Sequence, residues 1–307
     1  YNKIDLVEYA RNVAQTPKNM GASDRIAVIY AQGEILNGEG DVSYIGEKSI
    51  IRSLKEARED KDVKAVVLRV NSPGGSALTS DLIWREIELT KKKLPVVVSM
   101  GNYAASGGYY ISCNANTIFA EKSTITGSIG VFGTLPNVTP LATRIGITTE
   151  QVKTHENAGG YSPFRPIDEK FRSVMLSEIE RIYTDFTTKV AKGRKMTVAQ
   201  VDSIGQGRVW TGEQALKIGL VDKIGGMDDA ITEAARLGKT KDYRTVNYPE
   251  YDKKFEDLFA NFPFAKSKEA FLREEMGEET YLTLQKIKAI TRRSGVQAAM
   301  PFTLEIH

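Results

Sequence analysis

From about residue 25 onward, short runs of apolar, often β-branched residues alternate with longer segments whose apolar positions recur at helical spacing. This alternation predicts an α/β domain built from stacked strand–helix units. RIAVIYAQG, residues 25 to 33, reads as the first strand. After a Gly-rich loop (NGEG), residues 47 to 60 put Ile50, Ile51, Leu54 and Ala57 on one helical face. VKAVVLRV, residues 63 to 70, is nearly continuous in apolar side chains, as expected of a strand covered on both faces. The unit then repeats, with SALTSDLIWREIELTKKK as helix, PVVVSMG as buried strand and AASGGYYIS opening another helix.

Further along, TIFAEK, SIGVFG and ITTEQVK predict strands, PLATRIG a short helix, and residues 167 to 192 one long amphipathic helix. Thr197 with Gln200, and Thr211 with Gln214, set a hydroxyl N-cap three positions before an amide, the capping-box signature of two short helices. Beyond residue 240 an aromatic-rich stretch leads into a charged segment of helical character, expected to be an appendage for packing or assembly. No internal repeat or low-complexity segment is visible.

Composition narrows the class. With 41% hydrophobic and 26% charged residues in 307, the chain has the means to bury a sizeable core. Lys and Arg total 42 against 39 Asp and Glu, a formal charge of +3, and no basic run stands out, so nucleic acid is not an expected partner. The single cysteine, Cys113, can form no internal disulfide and leaves the redox compartment open. No apolar run approaches the roughly 20 residues a spanning helix needs. The first residues, YNKIDLVEYARN, lack Met and an apolar signal region, which leads to the expectation of a longer polypeptide with any anchor or export signal upstream. With only two histidines and no cluster at ligand spacing, no metal or organic cofactor is expected.

Two glycine-rich turns carry the candidate chemistry. GNYAASGGYYIS, residues 101 to 112, sets Ser106 between small residues directly after an apolar strand. A nucleophile on a sharp turn needs such neighbours, and the N–H of Gly107 at the start of the following helix would face a developing oxyanion. A serine in this position also serves as an ordinary N-cap. VNSPGGS, residues 70 to 76, adds a second turn whose Gly74 and Gly75 amides would be free to donate, although it equally fits a plain strand-to-helix turn. Two such turns at the carboxyl ends of consecutive buried strands are where open α/β sheets place their sites.

VNSPGGS, then MGNYAASGGYYIS, then STITGSIGVFG, with GRVWTGEQALKIGLVDKIGG further on, together resemble the signal peptide peptidase A (protease IV) family. The resemblance covers most of residues 25 to 240. It implies a crotonase/Clp-protease-like superhelix of β-β-α units, and a Ser–Lys dyad in which Ser106 matches the nucleophile and Ser128 a serine that hydrogen-bonds the lysine amine. A lysine base must be neutral, which calls for desolvation that brings its pKa down from about 10.4.

By the family's pattern the lysine falls shortly before SPFRP, near Asn157 to Gly159, but the sequence there reads KTHENAGGYSP. Lys153 lies several residues early, and His155 has only the adjacent Glu156, which on an extended segment points the other way. Both remain candidate bases within the chain. In duplicated members of the family the amino-terminal repeat supplies the lysine and the carboxy-terminal repeat the serine. The expectation is therefore of a carboxy-terminal repeat: residues 1–24 a linker and helix from the preceding repeat, 25–240 the catalytic-serine domain, 241–307 a helical extension. The resemblance further implies hydrolysis of hydrophobic peptides such as cleaved signal peptides, a homo-oligomer, and the periplasmic face of a bacterial inner membrane. Two rival readings are a non-catalytic assembly subunit and a CoA-binding crotonase-type enzyme.

Overall fold

A computed structural model describes residues 21–155, 158–249, 277 and 296–299. The elements follow in the order β1 (Asp24–Gln32), β2 (Glu34–Leu36), β3 (Tyr44–Gly46), α1 (Glu47–Glu59), β4 (Val63–Ser72), β5 (Gly74–Ser76) and α2 (Ala77–Lys91). Next come β6 (Val96–Ala105), α3 (Gly107–Tyr110), β7 (Thr117–Ala120), β8 (Ile125–Gly127), β9 (Phe132–Gly133) and α4 (Thr139–Arg144). After them lie α5 (Glu169–Arg194), α6 (Val198–Ile204), β10 (Val209–Thr211), α7 (Gly212–Lys217), β11 (Lys223–Ile224), α8 (Met227–Leu237), β12 (Tyr243–Tyr248) and β13 (Val296–Ala299). The α/β class is the one the hydrophobic pattern predicts.

The main sheet runs β10-β8-β6-β4-β1-β12, with β7 beside β6 and β11 beside β7. Every pairing in it is parallel except β10 with β8. Because successive side chains alternate in direction, the apolar strands feed two cores at once. Ala27, Ile29, Val66, Leu68, Val96 and Val98 join the larger core, while Ile26, Val28, Ala65, Val67 and Val97 pack with Ala230, Ala234 and Ala235 of α8. The continuous apolar run of β4 thus has the double burial expected of it. A second sheet, β3-β2-β5-β13-β9, rises from the loops after the first strands of each unit, so that β1-β2-β3-α1 and β4-β5-α2 are successive turns of one β-β-α winding.

Several sequence expectations are revised. ITTEQVK forms no strand, since residues 147–153 have no sheet partner. SIGVFG is no single strand either: Gly127 and Ser128 take φ of 75° and 47°, a left-handed turn that ends β8 before β9 begins. The stretch assigned to a helical extension supplies two strands, β12 on β1 and β13 in the second sheet; apart from residue 277, the rest of residues 250–307 and residues 1–20 lie outside the described residues. Both capping boxes form, with Thr197 Oγ1 accepting from the Gln200 N–H at 3.1 Å and Thr211 Oγ1 from that of Gln214 at 3.2 Å.

The carboxyl half of α5 braces the short helix α3. Phe186 is fully buried with its ring centroid 4.5 Å from that of Tyr110, and Lys189 Nζ pairs with Asp81 at 2.7 Å. Phe186→Ala should cost about 3–5 kcal/mol through the cavity it leaves, read as a lower midpoint in urea denaturation. Burial, the largest influence, pushes the Cys113 thiol up to about 12, so it stays a neutral thiol at physiological pH. Cys113 should therefore resist iodoacetamide in the native protein at pH 8 and alkylate readily once the chain is unfolded, as mass spectrometry would show.

Candidate active site

Ser106 stands where β6 ends and α3 begins. Its N–H donates to the Gly127 carbonyl at 2.8 Å, extending the parallel register that pairs Ala105 with Gly127. The Tyr110 N–H closes the first turn of α3 on the Ser106 carbonyl, also at 2.8 Å. Between these two anchors the residue takes φ 53° and ψ −113°. Such a conformation costs a residue with a Cβ about 1–3 kcal/mol, so the surrounding sheet and helix must impose it.

The side chain does not cap α3, which removes the ordinary explanation for a serine at a helix start. Ser106 is wholly buried and its Oγ has no hydrogen-bond partner among the described residues. A buried hydroxyl left unbonded costs about 1–3 kcal/mol, which makes this oxygen the most conspicuous polar atom of the region.

Ser128 follows Gly127 and donates its N–H to the Arg208 carbonyl at 2.7 Å. Ala105 and Gly127 are register partners, about 5 Å apart across the sheet, so Ser106 and Ser128 leave adjacent strands at the same level. Thr126 Oγ1 donates to the Ala104 carbonyl at 2.7 Å and Thr124 Oγ1 to that of Gly101 at 2.8 Å, fastening β8 to β6 up to the site.

The second glycine turn meets the first. A Cβ on Gly107 would fall 2.7 Å from Ser80 Oγ and 3.2 Å from the Gly74 Cα, so only glycine lets the two turns approach. A Cβ on Gly75 would stand 2.0 Å from the Ile35 carbonyl oxygen of β2, which fixes β5 to the second sheet. The expectation that both turn amides are free needs correction: the Gly74 N–H donates to Ser72 Oγ at 3.1 Å, because the buried Ser72 side chain takes the nearest donor two residues on.

Behind the serine, α3 is held by two phenols. Tyr109 donates to the Leu220 carbonyl at 2.8 Å and Tyr110 to Asp81 Oδ1 at 2.8 Å. Burial raises both above the ordinary tyrosine range, helped at Tyr110 by the Asp81 carboxylate, so both remain neutral donors.

Neither candidate base joins this arrangement. His155 and Lys153 are exposed on the loop between α4 and α5. The His155 ring lies 3.2 Å from Thr154 Oγ1, and Lys153 lines a cavity of about 280 Å³ with Gln151, Arg165, Asp168 and Phe171. None of the cavity's residues comes from either glycine turn. Sequence reasoning also missed β13, whose Ala298 is fully buried and whose carbonyl oxygen would lie 3.0 Å from a Cβ on Gly107. Its only signal in the sequence was a short run between Gly295 and Pro301, VQAAM, too brief to stand apart from the charged, helix-like pattern read before it.

Residues 88–241 match the family model of Peptidase family S49. The chain is 42% identical over 239 residues to Protease 4 of Haemophilus influenzae, a match covering 76% of this chain and 39% of that protein. It is 33% identical over 252 residues to a putative signal peptide peptidase SppA of Enterococcus faecium, covering 80% of this chain and 73% of that one. Among solved structures, a ClpP1 mutant from Listeria monocytogenes aligns at a TM-score of 0.45 and 17% identity, over 66% of this chain and 94% of that chain. The chain spans about two fifths of the length of the Protease 4 relatives it matches. Half of its residues fit the family model, and the Enterococcus relative is matched along most of its length, so this chain belongs to peptidase family S49, the signal peptide peptidase A family.

Proposed function

We propose that the chain is the serine-bearing part of a serine peptidase that works by a Ser–Lys dyad, with Ser106 as nucleophile. The observation that carries this reading is the buried, unpartnered Oγ of Ser106 on a left-handed turn. An oxygen kept from capping its own helix, at an energetic cost, fits one held for attack on a carbonyl. Gly107, with an amide of the Gly74–Gly75 turn, would donate to the oxyanion, the Gly74 N–H exchanging its Ser72 partner to do so. Ser128 would orient the lysine amine without adding a charge, so that burial could keep the amine neutral.

The lysine would come from a companion repeat in the same polypeptide. Support for this is the lack of lysine at 157–159 and the exposed loop positions of Lys153 and His155. The substrates would be hydrophobic peptides such as cleaved signal peptides, in keeping with the name of the Enterococcus relative. Attachment at the periplasmic face of a bacterial inner membrane, through an anchor outside this chain, belongs to the same reading; no described helix is long and apolar enough to cross a membrane. Exposed apolar side chains on α4 (Leu141), just after it (Ile145 and Ile147) and on the first turns of α5 (Val174 and Leu176) favour assembly into a homo-oligomer.

The 307-residue chain alone should hydrolyse peptides poorly, since general-base help is worth about 10²–10⁴-fold. Peptidase assays with and without the lysine-bearing repeat, beside Lys153→Ala and His155→Ala, test this. Restoration by the repeat is the expected result, and turnover by the lone chain that vanishes with either substitution would relocate the base. In the complete enzyme, Ser106→Ala should abolish turnover while leaving the melting temperature unchanged or raised, because it deletes an unbonded hydroxyl. Ser128→Ala should lower kcat by a smaller factor and alter the pH–rate profile. A profile unchanged at every pH would make Ser128 a structural residue.

A further inference from the structure

We propose that a cavity between the carboxyl ends of α2 and α5 binds the phosphate group of an organic monoester, held by Lys91, Lys192 and Lys195. The cavity measures about 410 Å³, within the roughly 300–1,000 Å³ that small-molecule sites occupy. Its walls come from Trp84 and Glu88 of α2, Asn114 and Ala115 of the loop after α3, and Lys189 and Gly193 of α5. Helix α5 comes this close to the loop because residue 193 is glycine, where a Cβ would fall 2.3 Å from the Cys113 carbonyl oxygen. No lining residue belongs to either glycine turn or to the Lys153 cavity, so the proposal is independent of the role given to Ser106.

Five cations line the cavity against two carboxylates, and they fall into two kinds. Two are closed: Arg194 lays its guanidinium on Asp222 at 2.6 and 3.0 Å, and Lys189 Nζ pairs with Asp81 at 2.7 Å. The other three are open. Lys91 and Lys192 share the one Glu88 carboxylate, an ammonium on each oxygen at 3.5 and 3.4 Å. Those distances exceed the about 2.7–2.9 Å of a well-made charge-assisted bond, and each ammonium has three protons to place. Lys91 spends one of them on the Asn114 carbonyl. Lys195, at the left-handed carboxyl cap of α5, is exposed and has no charged partner among the described residues. Lysines here also complement the helix dipoles, each carboxyl end being equivalent to about half a negative charge. Two such ends and Glu88 offset about two of the three ammonium groups, which leaves an excess of about one positive charge. A phosphate monoester carries about −1.5 to −2 at pH 7 and three acceptor oxygens, one for each ammonium. Trp84, Ala115 and Asn116 would border its organic part.

Isothermal titration calorimetry of the full chain with inorganic phosphate and with glycerol 3-phosphate tests the site, in about 0.15 M NaCl so that diffuse attraction is screened. Saturable binding of at least one of them is expected. The double variant Lys192→Gln, Lys195→Gln should weaken it about tenfold or more, as the loss of charge-assisted hydrogen bonds implies. Both lysines are exposed, so an unchanged melting temperature is expected of this variant; were it to unfold, Lys195→Gln alone carries the same comparison. Lys217→Gln, which removes an exposed lysine on α7, should bind as the parent does. Cosedimentation with phosphatidylcholine vesicles containing phosphatidic acid decides the source of the phosphate. Sedimentation of the parent but not of the double variant assigns it to a lipid headgroup, and binding of the soluble probes without sedimentation assigns it to a free monoester. Failure of both soluble probes and of the vesicles to bind would overturn the proposal. So would binding that survives the double substitution, or a loss as large in Lys217→Gln.

Discussion

Where β6 runs out, the Ser106 N–H needs an acceptor in a fully buried position, and the Gly127 carbonyl provides it at 2.8 Å. An unpaired buried amide would be too costly to keep, so this bond commits the backbone to follow β8 for one more residue before it turns. The left-handed conformation at Ser106, the start of α3 and the position of Ser128 all follow from that commitment. The glycines answer the same constraint from the other side, since α3 can begin there only if Gly107 lets the Gly74 turn come close.

The region around the serine is held by neutral groups. Ser72, Ser80, Thr126 and the two phenols supply hydroxyls, each bonded to a named partner, and burial keeps both phenols protonated. Charges stand further out, paired across α3's outer side as Lys189 with Asp81 and Arg194 with Asp222. Among these hydroxyls only that of Tyr110 is bonded to a carboxylate, Asp81, so the polar groups nearest the serine's turn carry little charge.

The strands that were legible in the sequence are those buried on both faces, β1, β4 and β6, because continuous apolar runs leave no alternative. The helices with strong caps were equally plain, and Thr197 and Thr211 bond as their spacing dictates. What escaped were elements defined by partners distant in sequence. β12 is an ordinary half-buried run until β1 is known to lie beside it, and VQAA becomes a strand only between two edges more than 150 residues earlier. Ser128 shows the converse failure: β-branched neighbours argued for an unbroken strand, whereas the Ser128 N–H bond to Arg208 and the positive φ break it. Ser106 stands out in the sequence as a candidate by its small neighbours, but its unbonded oxygen does not, because a missing partner leaves no trace in composition.

The parallel pairing of β1 with β12 has a temporal side. Asp24 pairs with Tyr243, so the first strand of the domain waits for nearly the whole of it before that edge is covered. At the roughly 5–20 residues per second of ribosomal synthesis, the wait is on the order of 10–40 s. Throughout that interval the emerging chain exposes a sequence, RIAVIYAQ, well suited to pair with strands of other molecules. Early docking of β4 covers only the other side of β1, so the register that completes the main sheet favours protection of this edge by a holding chaperone until β12 arrives.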